Sequence, residues 1–339
     1  MTEGRLVTVA IPTLHAGEVL ASCLRALDAQ EFRDFEVIVV NNGPSATPLL
    51  GSHCSFPCRV LSPGSNVGFG AAVNSVVRAS SSPYIATLND DTEPGPAWLS
   101  SLVGEMEADS RTGMCASRIL MRADGAIDSA GMLICFDGSS KQRGHSLPAD
   151  RFNVSEEVLL PSACAALYRR DMLDDVGLFD EDYFLYCEDT DLGLRARWAG
   201  WKCKYVSGAV VEHHYSLTAG AFSVMKARFV ERNRLWVALK NFPWAILAIV
   251  PAVASARYLW QLSSVSRGEK STTDRFFRSG NTLFSALAIV LRAHWETFLN
   301  ILPLLRKRAL MRSTRRIGTL EFARLMYRHR ISARDLARA

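Results

Sequence analysis

The sequence begins without the pattern of a secretory signal. Residues 1–15, MTEGRLVTVAIPTLH, lack a basic region followed by an uninterrupted apolar run and a small-residue cleavage site. We therefore expect the protein to stay on the cytoplasmic side of the membrane. The 339 residues are 48% hydrophobic and 22% charged, which is typical of a globular protein with one large domain or two smaller ones.

Cysteines paired at metal-binding spacing are also missing. The chain has eight cysteines, of which only Cys54 and Cys58 are close together, and no second pair follows at finger-like spacing. Structural zinc sites commonly combine two such pairs, or one cysteine pair with a histidine pair. We therefore interpret the cysteines as reduced thiols, buried or free, and not as zinc ligands.

Acidic charge is scarce at the C-terminal end. Residues 306–339 hold eleven Lys or Arg and two Asp or Glu, a net charge of +9. Because the whole chain carries +5, residues 1–305 carry −4. The basic character therefore belongs to the tail, which can face anionic lipid headgroups, nucleic acid or water.

Apolar, β-branched runs alternate with segments of helical period in the first third of the chain. Residues 6–13, 35–43 and 83–94 are typical of buried strands that end at a proline, an Asn-Gly turn or an acidic loop. Residues 17–30 and 68–80 are typical of helices. This alternation predicts an α/β fold with a doubly wound, mostly parallel, Rossmann-like sheet. Ligands bind beyond the carboxyl ends of the strands in such sheets.

Polar clusters at these strand ends are candidate binding residues. Asn89, Asp90 and Asp91 offer the hard oxygen ligands that Mg²⁺ or Mn²⁺ prefer, although an Asx turn or a helix cap would explain them equally well. His213 and His214 are adjacent on a strand-like run, so one of them can complete a metal site begun by Asp91. The alternative is an ordinary surface or core histidine.

Two further segments are candidates for phosphate binding. Gly68 opens a glycine-rich run, 68–73, that nearly matches a dinucleotide fingerprint but lacks its last glycine. Arg232 and Arg234 in VERNRLW are suited to phosphate contact, or they belong to a solvated helix face.

The acids of YFLYCEDTDLGLRARWAGW, residues 183–201, have separate predicted roles. The pattern predicts a helix from about Glu188 that ends before Gly200. Asp191 and Arg195 are four residues apart and are expected to form an ion pair on the helix surface. Asp189 shares a face with small apolar residues, and partial desolvation there would raise its proton affinity and suit a general base. Glu188 is the second candidate.

Six motifs in order resemble bacterial glycosyltransferase family 2, and within it the rhamnosyltransferase-like branch that builds cell-surface polysaccharides. They are VAIPTLH (9–15), VIVVNNG (37–43), NVGFGAAVNSVVRA (66–79), TLNDDTEP (87–94), the run 161–214 and ERNRL (231–235). The resemblance implies a GT-A fold, a nucleotide-sugar donor, Mg²⁺ or Mn²⁺, and inversion at the anomeric carbon.

The resemblance also implies roles for individual residues. Asp189 would be the catalytic base with Glu188 beside it, and Asp91 and His213 would bind the metal. The donor-binding candidates are Pro12, Thr13, Asn41, Asn66, Gly68, Asn89, Asp90, Arg232 and Arg234. Asn41 stands where the family usually has a base-binding Asp, and Asn89 replaces the first acid of the DXD motif.

The last hundred residues have a different character. Residues 242–262 and 281–305 are long apolar segments, the first interrupted by Pro251 and the second by charges. We favour interfacial or re-entrant helices over true spans or soluble core helices. We therefore expect a catalytic domain over 1–240 and, over 241–339, a membrane-associated helical extension. The predicted location is the cytoplasmic face of the inner membrane, peripheral or re-entrant, against an anionic membrane surface.

The predicted function is that of an inverting glycosyltransferase. Our first expectation is transfer of rhamnose from dTDP-rhamnose to a polyprenyl-diphosphate-linked glycan acceptor, without a nucleic-acid partner. A UDP-sugar donor with a soluble or protein acceptor is the alternative. A dinucleotide-dependent oxidoreductase and a membrane-bound binding protein are more remote alternatives.

Overall fold

The computed structural model describes residues 4–15, 17–44, 54–214, 224–269 and 271–338. The chain forms two compact units. The first unit comprises Met1–Met132 and Gln142–Ser216, and the second comprises Leu133–Lys141 and Leu217–Ala339. The division lies earlier in the chain than the predicted boundary after residue 240, and a short internal segment belongs to the second unit.

The strands belong almost entirely to the first unit. They are β1 (Val7–Thr13), β2 (Phe35–Asn41), β3 (Cys58–Leu61), β4 (Tyr84–Leu88), β5 (Thr92–Pro94), β6 (Thr112–Met121), β7 (Ile127–Ser129), β8 (Met132–Ile134), β9 (Ser140–Gln142), β10 (Glu156–Val158), β11 (Ala165–Arg169) and β12 (Lys202–His213). Strands β8 and β9 pair with each other as a separate hairpin.

The main sheet has the strand order β10-β12-β6-β11-β4-β1-β2-β3. Strands β3, β2, β1 and β4 are parallel neighbours, and β12 runs parallel to β6. Strand β11 lies antiparallel between β4 and β6. The predicted α/β fold with a mostly parallel sheet is therefore confirmed, with an antiparallel strand inserted at its centre.

Helices of the first unit cover both faces of this sheet. They are α1 (Glu18–Asp28), α2 (Phe69–Ala79), α3 (Trp98–Ala108), α4 (Arg170–Val176) and α5 (Glu188–Trp198). Because successive strand residues point to opposite faces, Val37 and Val39 pack with α1 and α3, whereas Ile38 and Val40 pack with α2 and α5. The sheet is doubly wound, as predicted.

The described part of the second unit is helical apart from the hairpin segment. Its helices are α6 (Val224–Asn241), α7 (Trp244–Ser266), α8 (Thr272–Arg278), α9 (Leu283–Leu299), α10 (Ile301–Met311), α11 (Thr319–Arg328) and α12 (Ala333–Arg338). Pro251 lies inside α7 and does not end it, which corrects the expected break. Among the described residues, α7 is the one helix long and apolar enough to cross a membrane by length and composition.

A buried ionic cluster holds α6, α7 and the hairpin segment of the second unit together. The Arg257 Nε donates to Asp137 Oδ2 at 2.6 Å and its Nη2 to Glu231 Oε2 at 3.0 Å. Arg234 forms an ion pair with Glu231 and donates from Nη1 to the Asp137 carbonyl at 2.9 Å. The opposite charges keep the pKa of both carboxyls below their usual values despite burial. This cluster therefore helps to pack the elements of the helical unit against one another.

Candidate active site

The carboxyl ends of β1 and β2 bring three candidate residues together. Thr13 and Asn41 are the last residues of these strands and face each other in the parallel register. The Asn42 N–H donates to the Thr13 carbonyl at 2.8 Å, and Asn41 Oδ1 accepts the Gly43 N–H at 3.0 Å. Pro12 lies one residue earlier on β1. The first donor-binding candidates therefore form one continuous strand-end surface.

The acidic loop after β4 joins this surface. The Thr13 hydroxyl donates to Asp90 Oδ2 at 2.6 Å, and burial raises the pKa of the Asp90 carboxyl to about 6. The Asn89 N–H donates to the Cys164 carbonyl at 2.8 Å, and the Thr92 hydroxyl donates to the Asn89 carbonyl at 2.7 Å. The loop is thus held to β1 on one side and to the start of β11 on the other.

Asp91 and His213 lie next to each other, as the two predicted metal ligands should. The Nε2 atom of His213 is 3.3 Å from Asp91 Oδ1, while its Nδ1 is 2.8 Å from Asp128 Oδ2. All three side chains are mostly buried. His214 turns elsewhere, with Nε2 3.1 Å from Glu93 Oε1. One histidine of the adjacent pair therefore enters the site, as strand geometry requires.

The Asp91 and His213 atoms fit a divalent cation. Two ligand atoms that bind one ion at about 2.1 Å and at right angles are about 3.0 Å apart, close to the separation seen here. No group of three or more His, Cys, Asp or Glu side chains in the described part of the chain could hold a metal. Two protein ligands leave the other positions to water and phosphate oxygens, the arrangement that Mg²⁺ favours.

The glycine-rich loop is tied to the segment that precedes α5. The Gly68 N–H donates to Asn66 Oδ1 at 2.9 Å, and the Gly68 carbonyl accepts from Asn42 Nδ2 at 3.1 Å. Gly68 has φ +86°, and a Cβ on it would lie 2.3 Å from the Phe184 carbonyl oxygen. The next residue, Phe69, donates its N–H to that same oxygen at 2.9 Å. Only glycine suits this position, because both its conformation and its close backbone contact exclude a side chain.

The segment before α5 is strained. Phe184, Tyr186 and Cys187 have φ values of 63°, 69° and 67°, which non-glycine residues rarely adopt. Such strain costs on the order of 1–3 kcal/mol per residue and persists where the surroundings impose it, often at functional sites. Here it immediately precedes the first residue of α5, Glu188.

Glu188 and Asp189 occupy the first turn of α5 in different environments. Asp189 is partly buried; its Oδ2 accepts the Ala163 N–H at 3.3 Å and its Oδ1 accepts the Thr190 N–H at 2.6 Å. Glu188 is 6% exposed, and its Oε2 has no hydrogen-bond partner among the described residues. Burial raises the pKa of both carboxyls, and the Asp189 charge adds to the effect on Glu188.

The ion pair of Asp191 and Arg195 is buried, which corrects the expected position on the helix surface. The Arg195 Nε donates to Asp191 Oδ2 at 2.9 Å, and both side chains are less than 10% exposed. The rest of the guanidinium donates to the carbonyls of residues 176–178. The pair therefore fastens the end of α4 to α5. Asp182 lies in the short turn Glu181–Tyr183 that precedes this region.

Arg232 and Arg234 lie on α6, which belongs to the second unit. Arg234 is fully buried in the ionic cluster of that unit, so the prediction that it binds the donor is wrong. Its charge is compensated by Glu231 and Asp137, which leaves no free face for a phosphate. The Arg232 guanidinium stacks over the Trp236 ring at 4.3 Å.

Two residues of this region, Asp128 and Asn74, were not found from the sequence. Asp128 contacts His213, and Asn74 in α2 holds the Phe179 backbone through both its amide nitrogen and its oxygen. The polar Asn74 within an apolar helical pattern was a usable signal. Asp128 offered none, because its contact depends on strand register.

Comparison with known proteins agrees with this architecture. Residues 8–177, half of the chain, match the family model described as glycosyl transferase family 2. The chain belongs to glycosyl transferase family 2. This glycosyltransferase therefore has the activity class predicted from its motifs, and the oxidoreductase alternative loses its basis.

A curated relative of this glycosyltransferase is the N-acetylglucosaminyl-diphospho-decaprenol L-rhamnosyltransferase of Mycobacterium tuberculosis. The two are 28% identical over 240 residues, which cover 63% of this chain and 78% of the relative. The resemblance to the rhamnosyltransferase-like members of the family is thereby supported at modest identity.

Solved structures show the same fold at low identity. The mannosyltransferase PcManGT from Pyrobaculum calidifontis, in complex with GDP-Man and Mn²⁺, has a TM-score of 0.55 at 15% identity; the match covers 92% of this chain and 86% of that one. GalNAc-T7 with UDP, GalNAc and Mn²⁺ has a TM-score of 0.57 at 14% identity, and the match covers 71% of this chain and 48% of that one. The predicted GT-A fold is confirmed.

Proposed function

We propose that this glycosyltransferase transfers a sugar from a nucleotide donor to a glycan acceptor with inversion, and that Asp189 is the general base. The observation that carries the proposal is the partly buried Asp189 carboxylate with its raised pKa at the start of α5. An acceptor hydroxyl is a weak nucleophile, so a carboxylate must accept its proton during attack. A single displacement needs no covalent nucleophile.

The other residues serve the donor in this proposal. Thr13, Asn41 and the Asn66–Gly68 loop offer hydroxyl, amide and backbone groups to the nucleotide and its phosphates, and Asn89 and Asp90 line the same surface. Asp91 and His213 would hold Mg²⁺ or Mn²⁺, which neutralises charge on the leaving nucleoside diphosphate when it is bound. Support for a divalent ion comes from the Asp91–His213 separation and from the Mn²⁺ named in two structures of the same fold.

The substrate proposal is rhamnose from dTDP-rhamnose and a polyprenyl-diphosphate-linked acceptor. Its support is the M. tuberculosis relative, whose name specifies L-rhamnosyl transfer to N-acetylglucosaminyl-diphospho-decaprenol. A UDP-sugar donor with a soluble or protein acceptor is the second candidate, favoured by the UDP in the GalNAc-T7 structure.

A donor screen tests both candidates. The purified protein is incubated with dTDP-, UDP- and GDP-sugars, and release of the nucleoside diphosphate is measured with Mg²⁺, with Mn²⁺ and after chelation. We expect metal-dependent release that is fastest with dTDP-rhamnose and is stimulated by a polyprenyl-diphosphate-linked saccharide. Release from no donor would refute the proposed activity, and preference for a UDP-sugar would replace the proposed donor.

We also propose that the second unit binds the cytoplasmic surface of an anionic membrane. One face of α9 and α10 exposes large apolar side chains at helical spacing, namely Leu287, Leu291, Trp295, Phe298 and Leu302. The basic residues of 306–339 follow directly. Apolar side chains beside basic ones favour an interfacial position in the membrane plane.

A further inference from the structure

We propose that Asp128 is a positioning residue that holds His213 in the orientation and tautomer required to bind the metal. This inference rests on the metal site of the proposed function and adds a residue to it. Asp128 does not face the cation in this arrangement. It acts through the imidazole ring, whose Nδ1 lies 2.8 Å from Asp128 Oδ2.

The backbone directs Asp128 toward His213 by means of a bulge. Strand β7 pairs with β6 so that Ile127 opposes Leu120 while Ser129 opposes Ile119. Asp128 is therefore the extra residue between two successive pairs. An extra residue of this kind re-aims a side chain, and such bulges are frequent beside active sites.

His213 approaches Asp128 from the opposite edge of strand β6. It is the last residue of β12 and pairs with Met121, the last residue of β6. Strand β6 is thus the common partner of the two strands that carry Asp128 and His213. The register of β6 with β7 and β12, and not any local motif, brings the two side chains together.

The hydrogen bond decides which ring nitrogen can bind a cation. When the Asp128 carboxylate accepts a hydrogen bond from the protonated Nδ1, Nε2 carries no proton. Its lone pair then points toward Asp91, whose Oδ1 is 3.3 Å away. Histidines that bind metals almost always donate their other N–H to such a partner, and loss of the partner costs roughly 10–100-fold in affinity or activity. His145 lies against the other oxygen of Asp128, with Nδ1 to Oδ1 at 3.2 Å, which holds the carboxylate from a second side.

The same geometry is compatible with a purely structural role. A protonated His213 between two carboxylates would form an ion triad that stabilises the sheet end without binding a cation. An isosteric change at Asp128 separates the two roles. If the triad is only structural, the change at Asp128 lowers stability and leaves metal affinity intact. If Asp128 positions a metal ligand, the change lowers metal affinity.

The test is Mn²⁺ binding by the full-length protein, measured from the free-Mn²⁺ signal in electron paramagnetic resonance, with and without a nucleoside diphosphate. We expect Asp128→Asn to bind Mn²⁺ about 10–100-fold more weakly than the wild type. The Asn amide can donate to Nδ1 and so place the ring proton on Nε2, which blocks the ligand atom. At saturating Mn²⁺ the kcat of the variant should approach the wild-type value, whereas its KM for Mn²⁺ should be raised.

Asp109→Asn is the matched control. Asp109 lies in the same unit and forms an ion pair at 2.7 Å with Lys202, which is at the opposite end of β12 from His213. We expect the control to bind Mn²⁺ with wild-type affinity. Thermal melting of both variants separates a loss of stability from a loss of binding.

The outcomes distinguish this inference from the proposed function. If Asp128→Asn melts at a lower temperature but binds Mn²⁺ like the wild type, while His213→Ala abolishes binding, Asp128 is structural and the inference fails alone. If His213→Ala and Asp91→Asn also bind like the wild type, the proposed metal site is wrong and the inference fails with it. If donor hydrolysis does not depend on a metal ion, the proposed metal site is likewise wrong and the inference fails with it.

Discussion

At the scale of single residues, the proposed chemistry depends on two adjacent carboxyls that differ in access. Asp189 is partly buried and is held by two backbone N–H groups, whereas Glu188 is almost fully buried and has an oxygen without a hydrogen-bond partner among the described residues. A base must reach its substrate, which favours Asp189. A negative charge on Glu188 is unfavourable next to that of Asp189, because like charges close together repel each other.

Asp189→Asn should therefore abolish most of the transfer activity. We expect kcat to fall about 10²–10⁴-fold, the usual contribution of a general base, because Asn keeps the shape but cannot accept the proton. Nucleotide-diphosphate release at saturating donor and acceptor measures the loss, and a nucleotide-binding titration should show unchanged donor affinity. Full transfer by the variant would exclude Asp189 as the base.

Glu188→Gln should flatten the dependence of stability on pH. The pKa of Glu188 is raised in the folded state, so the folded protein binds its proton more tightly than the unfolded chain, and stability falls as pH rises toward that pKa. Relative to the wild type, the variant should gain at least about 1.4 kcal/mol in the free energy of unfolding between pH 5 and pH 9, the equivalent of one pKa unit. Urea unfolding at both pH values measures the change.

Glu181→Gln provides a control of opposite sign. Hydrogen bonds from Asn74 and Arg78 lower the pKa of Glu181, so its contribution to stability is present at neutral pH and is lost as pH falls. This variant should be destabilised at neutral pH and should approach the wild type in acid. An identical pH response in the two variants would contradict the assignment of the Glu188 shift to burial.

At the scale of structural elements, helix α5 and the loop before α2 position the candidate site. The loop approaches the residues before α5 through Gly68 and the Phe184 carbonyl, and the Asp191–Arg195 pair fastens α5 to α4. These contacts were not visible in the helical pattern, because they join segments more than a hundred residues apart or depend on burial.

Gly68→Ala should weaken donor binding and lower stability. The added Cβ requires an unfavourable positive φ, worth about 1–2 kcal/mol, and meets the Phe184 oxygen as well. Gly64→Ala is the matched control, since Gly64 has the same φ of +86° but nothing lies within 4 Å of its Cβ position. A raised KM for the donor in Gly68→Ala alone would show the effect of the contact, whereas equal behaviour of both variants would contradict it.

Arg195→Met should be strongly destabilising. It leaves the Asp191 charge buried without its partner and removes the donors to the carbonyls at the end of α4, and breaking such a pair costs about 3–5 kcal/mol. The control is Arg25→Met, whose ion pair with Glu18 is exposed and is worth about 0–1 kcal/mol. Urea unfolding compares them, and similar losses would mean that burial of the Asp191 pair is unimportant.

At the scale of the whole molecule, the chain combines a sheet-containing unit with a helical one of different surface chemistry. In the helical unit, one face of α7 is buried through Val250, Ala254 and Arg257, and Arg257 joins the ionic cluster with Asp137 and Glu231. A helix with a buried charged face is better suited to packing in protein, or to the membrane interface, than to lying alone across a bilayer.

Leu287→Glu combined with Leu291→Glu should reduce binding to anionic vesicles about tenfold or more, because each leucine contributes about 1.5–3 kcal/mol when it is fully buried. Sedimentation with vesicles containing phosphatidylglycerol measures the change. Val154→Glu is the control, because Val154 is an apolar residue of the first unit that is more exposed than either leucine. The thermal melting temperature of all variants should stay unchanged, and vesicle binding by the double variant at the wild-type level would refute the membrane surface.

Local sequence patterns predicted the order and type of the main elements and the positions of most candidate residues. The periodic spacing of apolar residues predicts strand β1, helix α1 and strand β2, because this spacing shows which side of an element is buried. The strand-end residues Thr13, Asn41 and Asp91 were predictable for the same reason, since parallel strands end at one edge of a sheet.

Which side chains contact each other, and which are buried, depends on tertiary packing that local patterns do not predict. The contact of Asp128 with His213 depends on how β6 is registered with two other strands, and the burial of Arg234 and of the Asp191–Arg195 pair depends on packing against distant segments. A local pattern records the side of an element that avoids water, but it carries no information on the partner that covers that side. Sequence reasoning therefore places charged residues at the surface, because the counter-charges that permit their burial are known only from the fold.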